Sequence, residues 1–150
     1  MGAVANAANR FDASDLERFV AAQDPVYETV LAELRGGRKR THWMWFVFPQ
    51  LRGLGFSSLA QYYGIASLDE ARRYLAHPVL GARLETCSAL VAASTAGSLH
   101  EIFGDPDDLK FCSSMTLFAF AAASEESIYA RALSRWCRDS PDERTLAMLG

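Results

Sequence analysis

The residues best suited to chemistry in this sequence fall in three short segments. The first is DDLKFCSSMTLF, residues 107–118, where Lys110, Ser113, Ser114 and Thr116 stand among Leu109, Phe111, Cys112, Met115, Leu117 and Phe118. Helical spacings of three and four residues bring Lys110 beside Asp107, Ser113 and Ser114. Polar groups on a central helix must find partners or face a cavity. A lysine drawn into such a place can attack a carbonyl or the aldehyde of an opened sugar, with Asp108 as its proton shuttle. The same residues also suit a plain structural role, in which Lys110 reaches out to solvent and the serines bond to the preceding turn.

The second segment is RKRTHW, residues 38–43. Arg38, Lys39 and Arg40 place positive charge beside His42 and Trp43, a pattern that grips a phosphate next to an aromatic platform. It equally fits a solvated loop beside a core anchor, with His42 as a hydrogen-bonded structural residue. The third is SSLAQYYGI, residues 57–65. Gln61, Tyr62 and Tyr63 there can hydrogen-bond and stack a flat ligand, or form a core edge with wet hydroxyls. In the ligand-binding reading, phosphates meet Arg38, Arg40 or Arg52, and a base lies on Trp43, Trp45 or Tyr62. Gln50, Gln61 and Ser114 complete the candidate set.

Familiar catalytic motifs are missing. There is no GxSxG elbow, P-loop or HExxH, and Gly53-Leu-Gly55 is only half of a dinucleotide fingerprint. Cys87, Cys112 and Cys137 each stand alone in an apolar stretch, with no CxxC pair and no histidine at ligand spacing. Neither a metal site nor a disulfide framework is expected, and buried reduced thiols are the default. No cofactor is implied.

Half of the 150 residues are hydrophobic, enough for one core, and the net charge of −3 argues against general nucleic-acid binding. No apolar run is long enough to span a membrane. MGAVANAANRF lacks the basic start and apolar stretch of a secretory signal, and Asn6 breaks the myristoylation pattern. A cytoplasmic protein is the resulting expectation.

The elements that must carry these residues read as an all-α fold. Residues 1–13 read as a flexible tail and 14–150 as one helical domain. A helix over 15–23 is capped by Ser14 or Asp12, and a second begins with Pro25 and stops at Gly36-Gly37. The run WMWFVF is apolar on every face, so it must be buried on all sides, with a short strand near Val47. A short helix spans 57–63. Ser67-Leu-Asp-Glu is a capping box that opens a helix to Leu75. Further helices follow over 79–93 and 98–103. In Asp105-Pro-Asp-Asp the first Asp caps and Pro takes the first helical position of the next helix. Residues 128–136 and 142–149 close the chain.

The stretches HWMWFVFPQLRGLG, SSLAQYYGIASLDEARRYLAHPVLGARL, IFGDPDDLKF, SSMTLF and PDERTLAML resemble the bacterial domain-of-unknown-function family DUF1810, often labelled calpastatin-like. The resemblance runs from Asp15 almost to the end and carries no activity with it. Calpastatin segments are disordered, whereas this chain is rich in core residues. The order of segments is also similar to the NADAR domains, helical proteins linked to ADP-ribose and NAD-derived metabolites. Residues 58–63 correspond to their Glu-His-Tyr-type motif, and Lys110 with Ser114-Met115 to their later lysine helix. Ala60 and Gln61 stand where that family has Glu and His, and its preceding Trp is absent unless Trp43 or Trp45 fills the space. This second resemblance implies a binder or enzyme for ADP-ribose or a related nucleotide sugar, acting by N-glycosidic hydrolysis through Lys110. The alternative is a non-enzymatic module that uses its aromatics as a partner groove. Placement of Trp43 and Trp45 discriminates: a concave pocket beside Lys110 favours a ligand, a flat exposed surface a partner.

Overall fold

The computed structural model describes residues 15–138 and 141–150. The expected tail over 1–13, and the proposed caps Asp12 and Ser14, lie outside the described residues. Among the described residues there are ten helices. They are α1 (Glu17–Gln23), α2 (Tyr27–Arg35), α3 (Met44–Val47), α4 (Ser58–Tyr62) and α5 (Leu68–Ala76), then α6 (Leu80–Ala92), α7 (Leu99–Phe103), α8 (Asp107–Ala122), α9 (Ile128–Trp136) and α10 (Glu143–Leu149). None of them is long and apolar enough to cross a membrane.

Local chemistry explains most of the boundaries. Ser57, Ser67, Ser98 and Ser127 each accept a backbone N–H three residues on, and Asp142 does the same for Thr145. Ser67 caps as the sequence implied, but Glu70 reaches back to the N–H of Ala66 rather than to Ser67 itself. Gly37, at φ +77°, follows the end of α2 in the left-handed conformation that glycine tolerates best.

Three expectations need correction. Met44–Val47 is one helical turn, not a strand: the N–H groups of Val47 and Phe48 bond back to the carbonyls of Trp43 and Met44. The extended pairing instead falls beyond Pro49, as a lone parallel bridge between Leu51 and Ile65. Asp105 does not cap α8. The first N–H groups of that helix are met by the carbonyls of Gly104 and Pro106. Finally, Cys112 and Cys137 form a disulfide across a separation of 25 residues. Packing of α8 against α9 brings their Cα atoms to 6.1 Å, within bonding range, a proximity no short-range motif announces.

Helix α8 is the centre of the fold, packed by α5, α7, α9 and α10. Its sequence carries apolar residues on several faces, and most of them are covered, with Leu109 and Phe120 left exposed. Phe111, Met115, Leu117 and Phe118 are fully buried. Phe111 joins an aromatic cluster with Phe48 at 5.0 Å and Phe103 at 5.1 Å between ring centroids, and Trp43 closes the cluster against Phe48 and Phe103.

The α5–α6 corner is equally tight. A Cβ on Gly81 would lie 2.2 Å from the Leu75 carbonyl oxygen. In an open helix Gly→Ala stabilises by about 1 kcal/mol. Here the backbone must move, so Gly81→Ala is expected to destabilise by about 3 kcal/mol. A denaturant titration that found the variant as stable as the parent would refute this packing.

Candidate functional site

The RKRTHW segment owes its shape to a buried carboxylate on α2. Glu33 Oε1 accepts from the N–H groups of Arg40 (2.8 Å) and Thr41 (3.1 Å) and from the Trp43 indole (2.9 Å), while Oε2 accepts from the Thr41 hydroxyl (2.7 Å). Burial alone would raise the pKa of this carboxyl. The donors from Arg40, Thr41 and Trp43 outweigh burial and hold it below its ordinary value. The N–H of Lys39 adds a bond to the Ile102 carbonyl at 2.7 Å. Trp43 is therefore turned into the core at 1% exposure, and Arg38, Arg40 and His42 face outward.

Two lysines meet at one acid. Asp107 Oδ2 lies 3.0 Å from Lys39 Nζ, and Asp107 Oδ1 lies 3.8 Å from Lys110 Nζ. Each ammonium also sits over an indole, Lys39 at 5.3 Å from the Trp43 centroid and Lys110 at 5.8 Å from that of Trp45. Both separations are within cation–π range.

Two concavities lie on either side of this bridge. A narrow cleft is lined by Lys110, Trp45, Gln50, Tyr63, Met44, Phe48 and Ala60, with room for about one water molecule. A wide groove of about 890 Å³ is lined by the Arg35–Lys39 segment, by Ser94, Thr95 and Ala96, and by His100 and Glu101. Its floor is apolar, built from Leu34, Leu90, Ile102 and Phe103. Glu101 is already engaged, accepting from the N–H of Gly97 at 2.9 Å.

The candidate residues separate accordingly. Lys110, Trp45 and Gln50 share the cleft, although they come from distant parts of the chain. Arg38 lines the groove with Lys39. Arg52 donates to the carbonyls of Gln61 (3.1 Å) and Gly64 (2.9 Å) at the end of α4. Gln61 is exposed and donates to the Phe56 carbonyl, and Tyr62 is half-exposed with its ring against Tyr63. Asp108 contacts His100 at 3.4 Å and the N–H of Leu109, so the carboxylate beside Lys110 is that of Asp107. Ser113 and Thr116 bond to the preceding turn, whereas the buried Ser114 hydroxyl has no partner. Arg40, His42, Trp43, Arg52, Gln61, Tyr62 and Ser114 line neither concavity. Among the described residues no group of His, Cys, Asp and Glu is placed to hold a metal.

Glu33, Arg35, Asp107 and His100 were not among the sequence candidates, whereas Tyr63, read there as a stacking residue, lines the cleft. Only Asp107 left a signal, its three-residue spacing from Lys110. Glu33 lies ten residues before its indole partner, beyond any helical spacing.

The comparisons with known proteins are few and consistent. A family model described as "Protein of unknown function (DUF1810)" matches residues 13–149. The chain is similar to the conserved hypothetical protein Rv1873 from Mycobacterium tuberculosis, whose crystal structure was determined at 1.38 Å. The two share 56% sequence identity over 92% of this chain and 98% of that one, with a TM-score of 0.88. No curated protein matches the chain.

Proposed function

From a chain that belongs to the DUF1810 family of proteins of unknown function, we propose a binder of a phosphorylated, nucleotide-type small molecule, held at the basic groove and the adjoining Trp45–Lys110 cleft. The observation that carries this reading is charge placement. The chain as a whole has a net charge of −3, yet Arg35, Arg38 and Lys39 line one groove against a single acid, Glu101. Its volume falls in the range of ligand sites, roughly 300–1,000 Å³. An apolar floor under a cationic rim suits a ligand with an anionic end and a flat or hydrophobic body. Trp45 lies in a concave cleft beside Lys110 rather than on a flat surface, which favours a ligand over a partner.

The order of segments read from the sequence, which resembles that of NADAR domains, supports ADP-ribose and related nucleotide sugars as the ligand class. In a catalytic version, Lys110 as the free amine attacks C1 of the ring-opened N-glycoside, the C1–N bond to the base breaks with its electron pair leaving on the base nitrogen, which takes up a proton, and water then displaces the lysine from C1. Asp107, at 3.8 Å, is the carboxylate in reach to take up the proton. One observation favours the interaction module instead. Phe56 is 86% exposed, with Leu59 and Tyr62 half-exposed close by in sequence.

Thermal-shift titration with ADP-ribose, ATP and pyrophosphate tests the proposal. A ligand at one hundred times its Kd adds about 2.7 kcal/mol of stability. ADP-ribose is expected to stabilise the protein, and Arg38→Ala to weaken that binding roughly tenfold or more by removing a charge-assisted contact. Lys110→Ala is expected to abolish any glycosidic turnover. No shift with any of the three, together with dimerisation or self-association lost in Phe56→Ser, would replace the ligand reading with the interaction module.

A further inference from the structure

We infer that the Cys112–Cys137 disulfide is a site of reversible thiol–disulfide exchange, opened by a small dithiol while the domain stays folded. The bond joins the side of α8 to the residue that caps the C-terminus of α9, and both cysteines line a third groove of about 810 Å³. Cys112 is partly exposed there, so an attacking sulfur has a path to it. The two helices are also held without the bond. Tyr129, Ala132 and Leu133 bury one face of α9, and the Trp136 indole donates to the Val91 carbonyl at 2.7 Å. Opening the disulfide therefore frees the end of α9 from α8 and leaves the core in place. The remaining cysteine, Cys87, is the counter-example. It is fully buried on α6, and burial pushes its thiol up to about 12.

The exchange balances as follows. One thiolate of the dithiol attacks Cys112 Sγ, the S–S bond breaks, and its electron pair leaves on Cys137 Sγ, which takes a proton from water. Arg138, the next residue in the chain, lines the same groove. The second thiolate of the reductant then attacks its own sulfur in the mixed disulfide and releases Cys112 as a thiolate, which is protonated in turn. Two electrons reach the protein, and the dithiol ends as a cyclic disulfide.

Cys87 provides an internal gauge of unfolding. Protein prepared with oxidised glutathione is treated with dithiothreitol in native buffer, alkylated with iodoacetamide, and mapped by peptide mass. The expected result is no label before reduction, then label at Cys112 and Cys137, with Cys87 unlabelled and the helical circular dichroism unchanged. In Cys137→Ser, Cys112 is expected to label without reductant, at a rate roughly tenfold or more above that of Cys87. The inference is overturned by label at Cys112 before reduction in the parent, by reduction that needs denaturant, or by Cys87 labelling together with the other two. It is equally overturned by a Cys112 that stays unlabelled in Cys137→Ser.

Discussion

Glu33→Gln is expected to melt about 6–12 °C below the parent protein, a loss of about 3 kcal/mol in a domain of this size. The carboxylate accepts four hydrogen bonds from three residues of one loop. An amide keeps the volume but loses the charge, and it presents a donor where one oxygen stood. With its oxygen at the Oε1 position toward the three N–H donors, its NH2 stands opposite the Thr41 hydroxyl, which must turn from donor to acceptor, and the other three bonds lose the added strength that a charged acceptor gives them. The parent should also show this effect as acid sensitivity. Glu33 is held below its ordinary value of 4.5, so its contribution is complete above about pH 4.5 and is lost as pH falls through the lower folded-state value. Calorimetry from pH 7 to pH 3 should therefore find the gap between parent and variant narrowing below pH 4.5. A constant gap would mean that the carboxylate charge is irrelevant. Because the same loop carries Arg38 and Lys39 into the groove, the proposed ADP-ribose binding should also be weaker in the variant than in the parent at pH 7.

Arg18→Met carries the other large expected effect, a loss of about 4 kcal/mol or roughly 8–16 °C. Arg18 is buried at 6% exposure. It donates to the carbonyls of Tyr62 (2.8 Å), Gly64 (3.1 Å) and Asp15, and lies 3.6 Å from the fully buried Glu70 carboxylate. Methionine fills the space of the aliphatic stem but loses the guanidinium that lies 4.4 Å from the Phe19 ring centroid, abandons those carbonyls and leaves the buried Glu70 carboxylate without its ion-pair partner. Glu70 Oε2 has no hydrogen-bond partner even in the parent. The double variant Arg18→Met/Glu70→Leu should accordingly be more stable than Arg18→Met alone, because it removes the buried charge along with its partner. A double variant no better than the single one would show that the carbonyls, not the ion pair, dominate. Arg52→Ala should cost much less, since Arg18 also serves the Gly64 carbonyl that Arg52 shares.

Neither Glu33 nor Arg18 is distinguished in the sequence. Each sits in a helix among other charged residues, and a solvated side chain is the ordinary expectation for both. Their partners lie beyond the turn or two over which sequence spacing carries information. The Trp43 indole is ten residues from Glu33, and the Tyr62 carbonyl is 44 residues from Arg18. The same limit explains the cysteines. Cys112 and Cys137 are ordinary members of two apolar helices until α8 and α9 pack side by side. It also explains why Trp43 and Trp45, two residues apart, have opposite fates. One turn of helix sends Trp43 into the aromatic cluster and Trp45 to the cleft beside Lys110.

What the sequence determined by itself is everything decided within a few residues or by overall composition. The all-α class follows from helical periodicity and scarce β-branched alternation, and the serine cap at 67 from a side chain that reaches only three residues ahead. The centrality of α8 follows from apolar residues on several of its faces, most of which must be covered, and the Lys110–Asp107 pair from their spacing along that helix. Tertiary structure alone decided which buried polar groups pair, which cysteines bond, and which cations share a groove. Those outcomes depend on the rotation and offset of one helix against another. A change of a single residue in register turns a side chain by about 100°, so local preferences do not specify them.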